Sequence, residues 1–174
     1  DVAKDAAEIV LLDDSFGTLI HAVEQGRLTF HNIHKAARCA LTDNAGELFV
    51  ILISLFASVV FHIPLALTAI QVLAVDVIAQ IFPITALGWD KAERSLMSDR
   101  PRKLSDHIVN RRAVMEFVGY GFLGASLAYA NYLFFFARRG ISPEYIDSHS
   151  HLYFSATILT YVTVVLCQFM NLLL

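Results

Sequence analysis

The sequence predicts an all-α membrane protein: a short cytosolic remnant at the amino terminus, then a long stalk helix that continues into a bundle of four transmembrane helices. Of the 174 residues, 56% are hydrophobic and only 17% are charged. The mean hydropathy is +0.57, and four apolar runs each approach the roughly 20 residues that cross a bilayer. A soluble helical domain of 19.4 kDa would have to bury all four runs, so we disfavour it.

The amino-terminal part divides into two segments. Residues 1–14 are expected to be the end of a cytosolic domain, and residues 15–40 form the stalk helix. Ser15 is a suitable N-cap, because its side chain can accept a hydrogen bond from a free backbone N–H. Apolar residues then recur at near-helical spacing: Phe16, Leu19, Ile20, Val23, Leu28, Phe30 and Ile33. We expect this helix to run without a break into the first span.

The transmembrane domain covers residues 41–174. Its four spans are predicted at about 41–61, 67–89, 113–137 and 151–174. Pro64 breaks the chain between the first two spans. Four aromatic residues near span ends fit interfacial belts: Trp89, Tyr120, Tyr132 and Tyr153.

The positive residues predict the orientation. The segment 90–112 contains Lys91, Arg94, Arg100, Arg102, Lys103, Arg111 and Arg112, whereas 62–66 contains no Lys or Arg. Because cytosolic loops are enriched in Lys and Arg, residues 1–40 and 90–112 are expected in the cytosol. The chain is then a multi-pass protein of the plasma or cell membrane, with the lipid bilayer as a partner.

Composition excludes several other functions. The net charge of −3 and a pI of about 6.1 give no basic surplus for nucleic acid. Cys39 and Cys167 lack CxxC spacing and are expected to pack as small hydrophobes.

The chain begins without Met and ends inside an apolar run, so we expect a piece of a longer protein.

Polar residues inside two spans are candidates for function. The first span contains Asp43, Asn44 and Glu47, and the second contains Asp76 and Gln80. An ionisable residue within a span costs about 2.5 to 3.5 kcal/mol on insertion scales, so it is kept mainly where it faces the bundle interior. Residues four apart share a helix face, which places Asp43 with Glu47 and Asp76 with Gln80.

The oxygens of these side chains are hard donors, which suit Na⁺, K⁺, Ca²⁺, Mg²⁺ or a proton. Glu47 and Asp76 are the expected metal-binding carboxylates. Pro83 has no N–H for the carbonyl of Ala79, so the helix can break there and offer a backbone oxygen. The alternative is that the polar groups only hold helices together, in a non-pumping channel or structural subunit. Asp43, near the end of its span, fits that alternative best.

Several stretches resemble one family. "DVAKDAAEIVLLDDSF", "LTDNAGE", "IPLALTAIQVLAVDVIAQIFPITALGWDKAE" and "SLMSDRPR" occur in this order, and "CQFMN" lies near the end. They are similar to type II P-type cation-transporting ATPases, from the end of the phosphorylation domain through the fifth to eighth transmembrane helices.

The resemblance implies a membrane cation-transport segment of an ATP-driven pump. By matching positions, Asn44, Glu47, Asp76 and Gln80 are cation ligands, and Asp43 and Gln168 are further candidates. The sequence departs from the better-known pumps at three places: Gln80 replaces a second Asp, Ala79 replaces Thr, and Asp43 replaces a small hydroxyl residue.

The same resemblance implies ATP and Mg²⁺ as cofactors of the parent pump, and its amino-terminal parts and the transported cation as partners. The chain contains no DKTGT motif, so by itself it is not expected to hydrolyse ATP. The small number of carboxylates favours a monovalent ion or a proton over a pair of Ca²⁺ ions.

Overall fold

A computed structural model describes residues 5–8, 10, 15–91, 96–98, 109–147 and 149–173. Its elements are α1 (Phe16–Phe61), α2 (Ala69–Ala74), a π-helical segment (Val75–Gln80), α3 (Ile81–Gly88), α4 (Arg111–Ala137), a 3₁₀ turn (Pro143–Tyr145) and α5 (His151–Leu173). No strand occurs among these residues. Four helical stretches are long and apolar enough to cross a membrane, namely α1, Ala69–Gly88, α4 and α5. Within the described ranges, the predicted all-α fold with four helices able to span a membrane is confirmed.

The stalk and the first span form one helix. α1 is unbroken for 46 residues, which corresponds to about 69 Å at about 1.5 Å per residue. It ends at His62, whose left-handed backbone (φ 55°) lets its N–H donate to the carbonyl of Ser58 at 3.1 Å. The predicted remnant 1–14 falls largely outside the described residues.

The second span begins with a reciprocal cap. The Gln71 N–H donates to Thr68 Oγ1 at 3.3 Å, and the Thr68 N–H donates to Gln71 Oε1 at 2.9 Å. This T-x-x-Q capping box places the helix start two residues after the predicted residue 67.

The same span stays helical past Pro83. Its irregularity is the π-helical segment Val75–Gln80, directly before α3. Because π pairing reaches the fifth residue instead of the fourth, a widened turn ahead of a proline can keep hydrogen bonds that a regular α-helix would lose. Where the sequence suggested an unwound break, the described backbone shows a widened turn that carries Asp76 and Gln80.

α4 packs closely against α1. A Cβ added to Gly121 would stand only 2.9 Å from the backbone N of Gly46 and 3.0 Å from Cβ of Ala45. Small residues at a crossing let two membrane helices approach closely and gain van der Waals contact. Next to this crossing lies an apolar core formed by Val50, Leu67, Val75, Ala79, Ala125, Ala128 and Val164.

The short turn between the first two spans marks one end of the bundle, called here the turn end. Tyr132 and Tyr153 donate their hydroxyls to the carbonyls of Pro64 at 2.9 Å and Leu65 at 3.0 Å. Both rings are buried, so the interfacial-belt prediction is wrong for them. Since the turn has carbonyls without helical partners, buried phenols satisfy them.

The opposite end, called here the charged end, joins the stalk to the end of the second span. Asn32 Nδ2 donates to the carbonyls of Gly88 at 3.3 Å and Asp90 at 2.9 Å. Lys35 Nζ donates to Asp90 Oδ2 at 3.2 Å. Arg38 forms an ion pair with Glu116 of α4. α1 is therefore tied to both neighbouring spans at this end.

Candidate cation site

One face of α1 carries the polar residues into the bundle. The buried residues of this helix include Asp43, Glu47, Val50 and Ser54, which follow helical spacing. Asp43 and Glu47 are 8% and 5% exposed. The shared face expected for these two acids is therefore present, and it points at the other spans.

Gln80 lies at the meeting point of the predicted ligands. Its Nε2 donates to Glu47 Oε1 at 2.7 Å and lies 3.2 Å from both Asn44 Oδ1 and Asp76 Oδ1. Two N–H bonds thus face three oxygens. The oxygens of Asn44, Glu47 and Asp76 converge on one point within the membrane domain.

α5 completes this arrangement through Gln168. Its Nε2 donates to the same Glu47 Oε1 at 2.6 Å. Its Oε1 is buried and has no hydrogen-bond partner among the described residues. We call Asn44, Glu47, Asp76, Gln80 and Gln168 the central cluster.

The central cluster carries two formal negative charges. Glu47 and Asp76 act on each other electrostatically, and the donors that hold Glu47 are the neutral amides of Gln80 and Gln168. Neutral amides offset only part of the cost of a buried carboxylate, whereas a bound cation or proton would neutralise it directly. The arrangement is chemically suited to bind a small cation through oxygen.

Asp43 makes its own contacts about one helical turn nearer the charged end. Asn171 Nδ2 donates to Asp43 Oδ1 at 3.0 Å, and Cys39 Sγ lies 3.6 Å from Asp43 Oδ2. Cys39 is buried as expected, but it also acts as a hydrogen-bond donor, which sequence reasoning missed. Asn171 was missed as well, although it stands three residues after Gln168, on the same face of the helix, within "CQFMN".

The two positions linked to a helix break lie on different surfaces. Ala79 is buried in the apolar core, and Pro83 is half-buried in α3. The π-helical turn places Ala79 in the apolar core and Gln80 in the central cluster. No group of three or more His, Cys, Asp or Glu side chains in the described ranges is arranged to hold a metal ion. The acids of the central cluster are Glu47 and Asp76.

A helical membrane bundle with paired acids and amides at its centre is typical of proteins that move ions across a bilayer. Comparison with known proteins narrows this class. Residues 64–174 match the family "Cation transporting ATPase, C-terminus". The chain belongs to the P-type cation-transporting ATPases and forms a membrane segment of such a pump.

Relatives named for different ions are similar to the chain at nearly equal levels. It is 37% identical to the potassium-transporting ATPase alpha chain 2 of Oryctolagus cuniculus, over 82% of this chain and 13% of that protein. It is 34% identical to the sodium/potassium-transporting ATPase subunit alpha of Hydra vulgaris, over 84% of this chain and 14% of that protein. It is also 34% identical to the "Probable calcium-transporting ATPase" of Trypanosoma brucei brucei, over 82% of this chain and 14% of that protein. The chain therefore spans about one seventh of the length of these relatives.

Proposed function

We propose that this chain holds part of the intramembrane cation site of an ATP-driven pump, with Asn44, Glu47, Asp76 and Gln80 as ligands. The observation that carries the proposal is the convergence of three oxygens on Gln80 Nε2, at 2.7 to 3.2 Å. Placing two carboxylates on adjacent membrane helices is energetically unfavourable, so such residues usually serve a function in the membrane.

Each Gln amide can present either its hydrogen-bond donor, Nε2, or its oxygen, Oε1, to the site. Rotation about the terminal torsion of a Gln side chain interchanges its Nε2 and Oε1 at little cost, since that torsion is broad. With Oε1 turned toward Asp76, Gln80 becomes an oxygen ligand beside the two carboxylates. Gln168 brings a second amide to Glu47 from α5.

The ligand set favours a monovalent cation or a proton. Two carboxylates balance one or two positive charges. A pair of Ca²⁺ ions requires more carboxylate oxygens than the central cluster contains. Gln80, in place of a second Asp, is the residue that sets this balance. Asp43 lies one turn away and contributes negative charge near the site.

The charged end is proposed to face the cytosol, which follows from the Lys and Arg residues of 90–112. The continuous helix α1 then links cytosolic parts of the parent pump to Glu47. Because Asn32 holds the carbonyls of Gly88 and Asp90, a shift of the stalk also moves the span that carries Asp76. ATP and Mg²⁺ act on those cytosolic parts of the pump, outside this chain.

The experiment is cation-stimulated ATPase activity of the full-length pump that carries this segment. Glu47→Gln and Asp76→Asn keep side-chain size but remove one charge each. We expect the cation concentration for half-maximal activity to rise about tenfold or more, since a lost charge-assisted contact costs about 1.5 to 3 kcal/mol. Glu144→Gln and Asp147→Asn are matched controls, because both acids are exposed at the turn end.

The competing proposal is that the polar residues only bind helices together. It predicts that the two amide variants keep the cation dependence of the native pump, because an amide can still form interhelical hydrogen bonds. Unchanged half-saturation in both variants, with normal folding, would overturn the site assignment.

A further inference from the structure

A groove runs along the outward face of α4, beginning at the charged end. Its volume is about 430 Å³, and six residues of this one helix line it: Arg112, Met115, Glu116, Gly119, Tyr120 and Leu123. They recur at spacings of three and four residues and therefore share one face of the helix. Met115, Tyr120 and Leu123 are 58 to 61% exposed, so this face points away from the described bundle. We call it the α4 groove.

Gly119 leaves the middle of the α4 groove open. A Cβ placed on Gly119 would meet nothing within 4 Å, and the apolar side chains of Met115 and Leu123 stand one turn away on either side. The groove extends from Arg112 to Leu123, eleven positions that rise about 16 Å along an α-helix. That length is about half of the 30 Å hydrocarbon core of a bilayer. The α4 groove thus matches the depth of one lipid leaflet.

Positive charge is in excess at the outer end of the groove. Glu116 forms an ion pair with Arg38 of α1 through one carboxylate oxygen. The other oxygen lies 3.6 Å from Nε of Arg112, whose side chain is 87% exposed. Arg111 is exposed as well and is the first residue of α4. In this region of the described structure, three arginines therefore share one carboxylate, and the surplus charge favours an anion.

An anionic phospholipid has the chemistry that fits both parts of the groove. Guanidinium groups bind phosphate oxygens through paired hydrogen bonds, and basic side chains at the end of a membrane helix attract anionic headgroups. Beyond Glu116 the lining is largely apolar, which suits an acyl chain. A zwitterionic phospholipid fits less well, because its ammonium group is repelled by the same positive surplus.

We propose that the α4 groove binds one anionic phospholipid from the leaflet at the charged end. Its headgroup lies on Arg111 and Arg112, and one acyl chain runs past Gly119 toward Leu123. No residue of the central cluster is among the described residues that line the groove. The inference therefore goes beyond the proposed cation site and does not depend on which ion that site takes.

The first experiment identifies the lipid next to Leu123 in vesicles that contain the chain. Trp89, the single tryptophan, is replaced by Phe, and Leu123→Trp then places a fluorescent probe in the groove. Phosphatidylglycerol or phosphatidylcholine with brominated acyl chains is added as a minor component, because bromine quenches tryptophan fluorescence on contact. We expect at least threefold stronger quenching by phosphatidylglycerol. Phe82→Trp is the matched control, since Phe82 is 73% exposed on another span, and it should show no preference.

Two charge variants in the Leu123→Trp background test the headgroup contact. Arg111→Gln/Arg112→Gln removes two positive charges, and we expect quenching by phosphatidylglycerol to fall to the level of phosphatidylcholine. Arg138→Gln/Arg139→Gln makes the same change at the turn end of α4 and should leave the preference intact. A preference that persists without Arg111 and Arg112 would overturn the headgroup assignment.

Gly119→Leu tests the groove itself, because it adds a side chain to the open middle and keeps both arginines. Since a Cβ at this position meets nothing within 4 Å, the bundle should fold normally. We expect quenching by phosphatidylglycerol at Leu123→Trp to fall at least twofold. This variant keeps the proposal falsifiable even where the double arginine variant inserts poorly into vesicles.

The second experiment is native mass spectrometry of the full-length pump that carries this segment, purified from membranes that contain phosphatidylglycerol. The native pump should retain one lipid more than Arg111→Gln/Arg112→Gln and as many as Arg138→Gln/Arg139→Gln. Equal lipid numbers in all three would overturn the proposal, because another span of the pump then covers the groove.

Equal quenching by the two lipids at Leu123→Trp would overturn it as well, since the groove then takes acyl chains without recognising a headgroup. Neither measurement requires cation transport, so the outcome is independent of the Glu47 and Asp76 variants.

Discussion

Gln168 and Glu47 are 121 positions apart in the sequence and are joined by a hydrogen bond of 2.6 Å. The same Glu47 oxygen accepts from Gln80 at 2.7 Å, so one carboxylate of α1 is held by amides from two other spans. Since each amide is neutral, the two contacts fix the geometry of the Glu47 carboxyl group without bringing a positive charge to it. The proposed cation site is therefore preorganised, which lowers the cost of binding.

Gln80→Asp is expected to change the ion preference of the site. The variant removes the donor that Glu47 shares with Asn44 and Asp76 and brings a third carboxylate to the same point. Three acids repel one another until a cation binds, and more carboxylates favour a divalent ion. We expect affinity for Ca²⁺ relative to Na⁺ to rise roughly tenfold, measured as cation-dependent shifts of the thermal unfolding midpoint in detergent.

Gln80→Leu serves as the control for that substitution, because it removes the amide without adding charge. It should weaken the response to every cation. An equal response of Gln80→Asp and Gln80→Leu would contradict the role given to residue 80.

Gly121→Ala is expected to destabilise the bundle by about 1 to 3 kcal/mol, because overpacking a tight contact forces the backbone to shift. The added Cβ would lie 2.9 Å from the Gly46 backbone N. Gly119→Ala, on the same helix with nothing within 4 Å of its Cβ, should be neutral or slightly stabilising. The check is thermal unfolding of both variants side by side, and equal midpoints would show that the crossing tolerates the methyl group.

Asn32→Leu should loosen the connection between the stalk and the second span. The variant deprives the carbonyls of Gly88 and Asp90 of their donor, at a cost of about 1 kcal/mol per hydrogen bond. Trp89, the single tryptophan of the chain, stands between these two residues, so its fluorescence anisotropy should fall. Asn131→Ala breaks the bond to Thr163 in the other half of the bundle and should leave the Trp89 signal unchanged.

Acid should release the ion pair between Lys35 and Asp90. The hydrogen bond and positive charge of Lys35 lower the pKa of Asp90 below its ordinary value of 3.8. A lowered pKa means that the contribution of this pair is complete above about pH 4 and is lost as the pH falls through the pKa of the folded protein. Because Asp90 is exposed, we expect a small effect on stability.

Trp89 anisotropy should stay level from pH 7 to about pH 5 and change only below about pH 4. Asp90→Asn should lack that acid-dependent step. A step centred between pH 5 and pH 7 that vanishes in Asp90→Asn would show that the pKa of this carboxyl is raised instead.

Local patterns were sufficient for the helices and for the pairs within each helix. Apolar runs of about 20 residues predict the spans, and the four-residue spacing of Asp43 with Glu47 and of Asp76 with Gln80 predicts shared faces, because one turn of an α-helix brings such positions together. The T-x-x-Q cap at Thr68 was also present in the sequence, although the span was placed two residues early.

Tertiary packing decided which side chains meet. Asn171 with Asp43, Asn32 with Gly88, and Tyr132 with Pro64 are joined across 56 to 128 positions, and no local periodicity encodes contacts of that length. Contacts of this length depend on how the helices pack, as at the close approach of α4 to α1 at Gly46. The contact of Gln80 with Glu47 likewise joins two helices. The sequence by itself determined the membrane helices and their polar faces, since these follow from local hydrogen bonding and hydropathy. Only the tertiary structure gave Asp43 and Glu47 different partners, Asn171 and Gln168, because that depends on which residues of α5 pack against each acid.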